Sequence, residues 1–418
     1  MSDGARPLLT ADPAANYRAH AGEIRAAIDR VLADGHYILG PEVEAFEREF
    51  ADYHGGGHTL GVANGTEALE LALRAVGVQR DDAVATVANT ASATVAAIAE
   101  IGARPVFVEI DEATMTMSSA ALADVFEGAG GRIKAVVPVH LYGHPADLPA
   151  ICPLAACHGA AVVEDCAQAH GATIAGRRIG TWGEAAAFSF YPTKNLGAIG
   201  DGGAVFTRDK ALAGRVRLLR QYGWRQRYVS ESAGRNSRLD EMQAAILRVK
   251  LKYLDAENAR RGEIATRYLD RLSRFAVGRD RRFPPGSCER ERVDDISPVP
   301  AMSDRFDELT ASRLTAGDPA RQLVLPVVLP GVQAVWHQFV VRTPRRDALL
   351  AYLAESGIRC GVLYPVPVHR QPAYAQPDVA LPATERACAE VLCLPCHPGL
   401  DTADVDRVCA ALLGWSWA

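Results

Sequence analysis

No run of about 18 apolar residues occurs in this sequence, so no membrane-spanning helix is expected. It also lacks any basic tract or basic-aromatic stripe. Lys and Arg number 45 against 50 Asp and Glu, a formal net charge of −5, so a nucleic-acid role has no electrostatic footprint. The opening MSDGARPLLTADPAANYRAH lacks the charged-then-apolar pattern of a secretory leader, and a cytoplasmic protein is expected. Nine cysteines among 418 residues are too few for a disulfide framework. One of their spacings misleads: CLPCHP (393–398) formally fits the CxxCH of covalent haem attachment, chemistry that needs export or a dedicated assembly route. It reads better as a strand-like VLCLP in a core with buried free thiols. No metal site, internal repeat or low-complexity tract is expected.

What is present is average globular composition, 49% hydrophobic and 23% charged, in a chain long enough for two or three domains. Short continuous apolar runs recur at 83–88 (AVATVA), 104–110 (RPVFVEI), 134–141 (KAVVPVHL), 160–165 (AAVVED), 185–190 (AAAFSF) and 203–207 (GAVFT). Runs of this kind read as strands buried on both faces. Helix-like stretches at 66–77 and 92–103 lie between them, which predicts an α/β domain with a largely parallel sheet. A long helical stretch, 238–268, reads as a bridge into a smaller C-terminal domain. The expected division is a large domain over 1–250 and a small one over 251–418, with a loop or insertion at 275–320. The segment RRDALLAYLAESGI reads as a helix closed by Gly357.

Ligands of open α/β sheets bind beyond the carboxyl ends of the strands, so polar residues there carry weight. Three such places stand out. VVEDCAQAHG puts Glu164, Asp165, Gln168 and His170 past one strand, where Asp165 also suits an ordinary helix cap. VANGTEALELAL puts Asn64, Gly65 and Thr66 at a helix start, either a plain N-cap or an anion site built from exposed N–H groups and the helix dipole. FSFYPTKNLGAIGDGGAVF puts Ser189, Tyr191 and Lys194 on a glycine-rich turn between two buried strands, where a solvated surface lysine is the ordinary alternative. A carboxylate, a phosphate cup and a lysine on one sheet are together what pyridoxal 5′-phosphate requires. The lysine is its covalent anchor, the carboxylate keeps the pyridine nitrogen protonated, and the cup holds the phosphate.

On GVANGTEALELALRAVGV, PVHLYGHPADL, VVEDCAQAHGA, FSFYPTKNLGAIGDGGA, GRNSRLDEMQAAILRVKL and YPVPVHRQPAY, the chain resembles the DegT/StrS family of sugar aminotransferases. The matches run in order from about residue 37 to residue 400. The resemblance implies the fold-type-I architecture of pyridoxal-phosphate enzymes: a large domain with a mostly parallel sheet between helices, and a smaller α+β C-terminal domain. It implies that Lys194 anchors the cofactor and shuttles a proton, that Asp165 pairs with the pyridine nitrogen, and that Gln168 bonds the ring hydroxyl. Gly65, Thr66 and Ser189 would hold the phosphate, with Asn236 reaching in from a second subunit of a homodimer. Arg238, Tyr191 and His170 are weaker candidates for substrate contact. For Arg238 a salt bridge to Asp240 or Glu241 is the ordinary alternative; for His170, as for His140, it is a satisfied structural histidine. Lysine at 194, where sugar-dehydrating relatives carry histidine, implies transamination. One departure is Ala91, at a place where family members usually carry an aromatic stacked on the pyridine ring.

The expected activity is therefore transfer of an amino group from glutamate or glutamine to the keto group of a nucleotide-linked deoxysugar, a dTDP-3-keto-6-deoxyhexose of an antibiotic or glycan pathway. A 4-keto sugar or a keto-cyclitol is the alternative acceptor. A cofactor-binding regulator without turnover is the remote one, favoured only by Ala91.

Overall fold

The structure is a computed structural model, and it describes residues 6–128, 132–273 and 323–416. The expected insertion at 275–320 lies outside the described residues.

Seven strands form the central sheet: β1 (His58–Val62), β2 (Ala83–Val87), β3 (Arg104–Val108), β4 (Ile133–Val137), β5 (Ala161–Asp165), β6 (Ala185–Ser189) and β7 (Gly203–Thr207). Their order is β1-β7-β6-β5-β4-β2-β3, and only β7 runs against the rest. Because β1 to β6 all point one way, their carboxyl ends line one edge. The reversal of β7 is the consequence of the glycine-rich turn: β6 leaves the sheet at Phe190, whose N–H bonds Gly202 O at 2.8 Å, and the chain comes straight back.

β4 ends earlier than its apolar run suggests. Pro138 has no N–H to continue a ladder, and the chain then keeps only a bridge from Val139 to Asp165. The helix Gly65–Ala75 packs Leu69, Leu71 and Leu73 into the core on one sheet face, with Val84, Val137 and Val205. On the other face Phe46, Phe50, Phe188, Phe190 and Phe206 share a second core. The helix Pro41–Tyr53 starts there, and Glu241 caps it by accepting the N–H groups of Gly40, Glu42 and Val43 at 2.7, 2.8 and 3.0 Å.

The expected continuous helix over 238–268 is two helices, Glu241–Leu251 and Leu254–Leu272. Propensity favours no break at Lys252 and Tyr253. Tertiary contacts make it: the Tyr253 ring stacks on His20 at 4.0 Å and its hydroxyl bonds Glu23. Beyond it, the antiparallel pair Phe339–Arg342 and Val391–Leu394 packs with Leu254–Leu272, Arg346–Glu355 and Thr402–Gly414. Leu8 joins that same core through a parallel pairing of Leu8–Leu9 with Ile358–Arg359. Gly357, at φ +72, follows the end of Arg346–Glu355. Cys393 and Cys396 are buried, free thiols, pushed up to about 12 and about 11 by burial, as the strand reading of VLCLP expects. No helix among the described residues is long and apolar enough to cross a membrane.

Candidate active site

The edge formed by the strand carboxyl ends collects the polar residues. After β1, Asn64 turns the chain into the helix Gly65–Ala75, and its side chain accepts the Glu67 N–H at 2.9 Å. The N–H groups of Gly65 and Thr66 are left without a helical partner, as at any helix start, and they point outward with the positive end of the dipole. Ser189, the last residue of β6, lies directly alongside. A Cβ at Gly65 would stand 2.6 Å from Ser189 Cβ and 3.1 Å from its Oγ, so only glycine permits this approach. Two free N–H groups and a hydroxyl on one spot have the chemistry that a phosphate cradle requires.

Asp165 closes β5 and is buried. Its Oδ2 accepts the Thr94 hydroxyl at 2.8 Å and its Oδ1 the Ala167 N–H at 3.1 Å. Burial raises its carboxyl above the usual range; Thr94, Ala167, Lys194 and His140 all pull it back. Thr94 is in turn linked to Thr90 at 2.8 Å. The helix-cap reading of Asp165 is thus only half of its bonding.

Gln168 is held at both ends of its amide. Its Oε1 accepts the Tyr142 N–H at 2.8 Å, and its Nε2 donates to Tyr364 Oη at 3.0 Å. Tyr142 has a left-handed backbone, φ 60, unusual for a bulky residue. That conformation turns its N–H toward Gln168. The second Nε2 hydrogen has no partner among the described residues, so a ring hydroxyl remains a chemically possible contact.

Lys194 sits half-buried on the turn after β6, its own N–H bonded to Tyr191 O at 2.8 Å. Burial pushes its ammonium down to about 8, with the Asp165 carboxylate pulling the other way. An amine in this range has a much larger neutral fraction near neutral pH than an ordinary lysine, which suits it to act as nucleophile and base. His170 is buried against Phe188 and Phe190, and burial and the Lys194 charge push it down to about 3, so the ring is neutral. Its ring lies against the Ser189 backbone, and neither ring nitrogen makes a well-formed hydrogen bond among the described residues, which departs from the satisfied structural histidine of the ordinary alternative. His140 does have that structural character: it bonds Glu164 at 3.2 Å and accepts the Ala146 N–H at 3.0 Å. Glu164 also accepts from Gly180, Trp182 and Gly183 at 2.6 to 2.8 Å, which uses up its oxygens.

Gly65, Thr66, Ser189, Asp165, Gln168 and Lys194 therefore converge on one edge. Asn236 and Tyr191 do not belong to the buried set. Both are exposed, and Asn236 is fixed only through a backbone bridge to Gln221. Arg238 makes no salt bridge with Asp240 or Glu241, contrary to the ordinary alternative; Glu241 is committed to the Pro41–Tyr53 cap. Ala91 precedes the helix Ser92–Glu100 without a side-chain cap, and Ser92 Oγ bonds Gln371 at 3.0 Å from the C-terminal segment. Sequence reasoning missed Thr94, Tyr142 and Tyr364 as partners of Asp165 and Gln168. The only signal for Thr94 was a hydroxyl in the first turn of an otherwise apolar helix.

The residues present fit pyridoxal 5′-phosphate: a cradle that a Cβ would fill, a buried carboxylate suited to a cation, and a desolvated amine within electrostatic reach of it.

The model of the DegT/DnrJ/EryC1/StrS aminotransferase family matches residues 19–288 and 302–413. The chain is 44% identical over 408 residues to dTDP-3-amino-3,4,6-trideoxy-alpha-D-glucose transaminase of Streptomyces venezuelae, covering 97% of this chain and 95% of that one. It is 40% identical over 391 residues to dTDP-3-amino-3,6-dideoxy-alpha-D-galactopyranose transaminase of Aneurinibacillus thermoaerophilus, covering 93% and 94%. Among solved structures, S. venezuelae DesV in complex with a ketimine intermediate superposes with a TM-score of 0.85 at 42% identity, over 98% of this chain and 99% of that one. A mostly parallel sheet between helices, a polar edge with a lysine, and sequence agreement along nearly the whole length agree: the chain belongs to the DegT/DnrJ/EryC1/StrS aminotransferase family.

Proposed function

We propose that this chain uses pyridoxal 5′-phosphate to move an amino group from glutamate or glutamine to the 3-keto group of a dTDP-linked deoxysugar. The observation that carries the reading is that a desolvated Lys194 amine and the buried Asp165 carboxylate lie within electrostatic reach of each other, on the sheet edge where Gly65 meets Ser189. The cofactor, when bound, supplies an electron sink that stabilises a carbanion at the reacting carbon. The chain's residues do the rest. Gly65 and Thr66 N–H and Ser189 Oγ would hold the phosphate. Asp165, whose carboxylate form Thr94 and Ala167 favour against the opposing effect of burial, would pair with the pyridine nitrogen. Lys194 Nζ would hold and move the proton at the reacting carbon, and Gln168 would offer its remaining Nε2 hydrogen to the ring hydroxyl. The choice of a dTDP-3-keto sugar is supported by the substrates in the names of the two transaminases above.

A homodimer with shared sites completes the proposal. Exposed apolar residues Tyr37, Ile38, Tyr222, Tyr228 and Val229 lie on segments next to exposed Asn236, through the bridges Ile38–Asp240 and Gln221–Asn236. A second copy would cover them and bring its own Asn236 to the phosphate cradle. Arg238, Tyr191 and His170 then stand as candidate contacts for donor or sugar, in a cytoplasmic enzyme.

The test is conversion of a dTDP-3-keto-6-deoxyhexose to its amino sugar with L-glutamate, followed by mass spectrometry. Amination of a 4-keto sugar or a keto-cyclitol in preference would overturn the acceptor. A protein that takes up no pyridoxal phosphate would overturn the activity.

A further inference from the structure

The residue after the lysine is buried and bonded in three directions. Asn195 Nδ2 donates to Asn258 Oδ1 at 2.8 Å and to Val335 O at 3.0 Å. Both amide hydrogens are then used, so Oδ1 is the acceptor facing His337 Nδ1 at 3.1 Å, and His337 carries its proton on Nδ1. Asn258 passes the contact on, donating to His170 O at 2.8 Å.

These partners come from distant parts of the chain. Asn258 is on the helix Leu254–Leu272. Val335 and His337 precede the strand Phe339–Arg342, and that segment is also tied to the turn that holds Gln168: Val335 N–H bonds Gly143 O at 3.0 Å and Gln338 N–H bonds Tyr142 O at 3.2 Å. The lysine turn itself has few other restraints near residue 194. Beside the lysine there are only short-range contacts, Lys194 N–H to Tyr191 O at 2.8 Å and Tyr191 N–H to Ser189 Oγ at 3.4 Å; the other bonds of the turn lie at Gly197, Ala198 and Ile199, toward β7.

We propose that Asn195 is the positioning residue for Lys194, its side-chain amide locking the lysine turn to the helix Leu254–Leu272 and to the Val335–His337 segment. The inference rests on the reading that Lys194 anchors pyridoxal phosphate. The amide is suited to the task. It has two donors and one acceptor fixed in a plane, all three in use, so only one orientation satisfies the buried groups. Lys194 is one peptide unit away, and its long side chain turns a small rotation of the turn into a large displacement of Nζ. A displacement near 1 Å in a reacting group costs about 10²-fold in rate.

The experiment compares wild type, Asn195→Ala and Asn258→Ala. Each is made cofactor-free, mixed with saturating pyridoxal 5′-phosphate, and quenched with borohydride at intervals. Mass spectrometry then gives the rate at which cofactor becomes fixed to Lys194. Equilibrium cofactor affinity and thermal melting are measured alongside. Expected is a capture rate lowered about 10²-fold in Asn195→Ala and about 10-fold in Asn258→Ala, with non-covalent affinity within a few-fold of wild type because the phosphate cradle is untouched. A purely structural Asn195 would lower the melting temperature and leave the capture rate at saturation unchanged, which overturns the inference alone. If Asn195→Ala does not fold, Asn258→Ala decides by the same criterion. Wild type without any capture at Lys194 overturns the parent reading and this inference with it.

Discussion

Replacing Lys194 with Met should make the cofactor-free protein more stable at neutral pH. Met preserves the length and the apolar stem of the side chain and removes the charge. In the unfolded chain the lysine titrates at its usual 10.5; in the fold burial brings it to about 8. Below about pH 8 both states carry the proton, and the fold bears the full desolvation penalty. Between about 8 and 10.5 only the unfolded state is protonated, so stability rises with pH across that window. Above it the penalty is gone. At about 1.4 kcal/mol per pH unit the drop corresponds to about 3 kcal/mol, and the partial exposure of the residue reduces this to about 2 kcal/mol. Urea unfolding of cofactor-free wild type and variant should therefore show Lys194→Met ahead by about 2 kcal/mol near pH 7, with the gap closing as pH approaches 10.5. A variant of equal or lower stability at neutral pH, or a gap independent of pH, would refute the claim that the fold holds this amine against its solvation.

Thr94→Val removes the hydroxyl that donates to Asp165 Oδ2. Loss of a hydrogen bond to a charged group, about 1.5–3 kcal/mol, shifts the carboxyl toward its neutral form and should weaken pyridoxal phosphate binding by one to two powers of ten. Thr94→Ser should restore most of the affinity, and calorimetric titration reads both. Gly65→Ala forces a Cβ to 2.6 Å from Ser189 Cβ, so phosphate protection of the cofactor-free protein against thermal unfolding should disappear while the far-ultraviolet circular dichroism is unchanged. Glu164→Gln breaks a buried carboxylate that accepts from Gly180, Trp182, Gly183 and His140; urea unfolding should report a loss of about 3 kcal/mol. Mixing Lys194→Met chains with Asn236→Ala chains should recover transaminase activity that neither has alone. One of the two sites in each mixed dimer would then hold an intact Lys194 and an intact Asn236, and a mixture as inactive as its parts rules out sharing of this kind.

Much of this arrangement was legible in the sequence, and the reason is locality. Buried parallel strands write themselves as continuous apolar runs, so six of the seven sheet strands are visible to within a few residues. Glycines at close approaches and hydroxyls at helix starts are likewise local demands, which is why Gly65, Thr66, Ser189 and Lys194 stand out. What stayed hidden depends on side chains that meet across long separations. Thr94 reaches Asp165, Tyr364 reaches Gln168, and Asn195 reaches Asn258 and His337, with no spacing rule connecting any pair. β1 escapes this signal because HTLGV carries two polar residues and a glycine in place of a continuous apolar run. The break at Lys252 and Tyr253 was invisible for the opposite reason: local propensity is continuous there, and the interruption is imposed by His20 and Glu23 from the chain's beginning.

The hidden contacts share a purpose. Burial opposes the charges on Lys194 and Asp165, the buried His170 ring makes no well-formed hydrogen bond among the described residues, and Tyr142 has a left-handed backbone. Each feature is unfavourable alone, and a fold chosen for stability would have none of them on one sheet edge. Thr94 and Ala167 hold the Asp165 charge, Gln168 takes the N–H that the Tyr142 conformation presents, and Asn195 and Asn258 fasten the lysine turn. The partners of the strained groups come from four separate stretches of chain, so the site can form only after the sheet, the helix Leu254–Leu272 and the Val335–Gln338 segment have packed. Loss of any one partner should therefore impair the chemistry more than the fold, and that asymmetry between function and stability is the physical mark of an active site as opposed to a core.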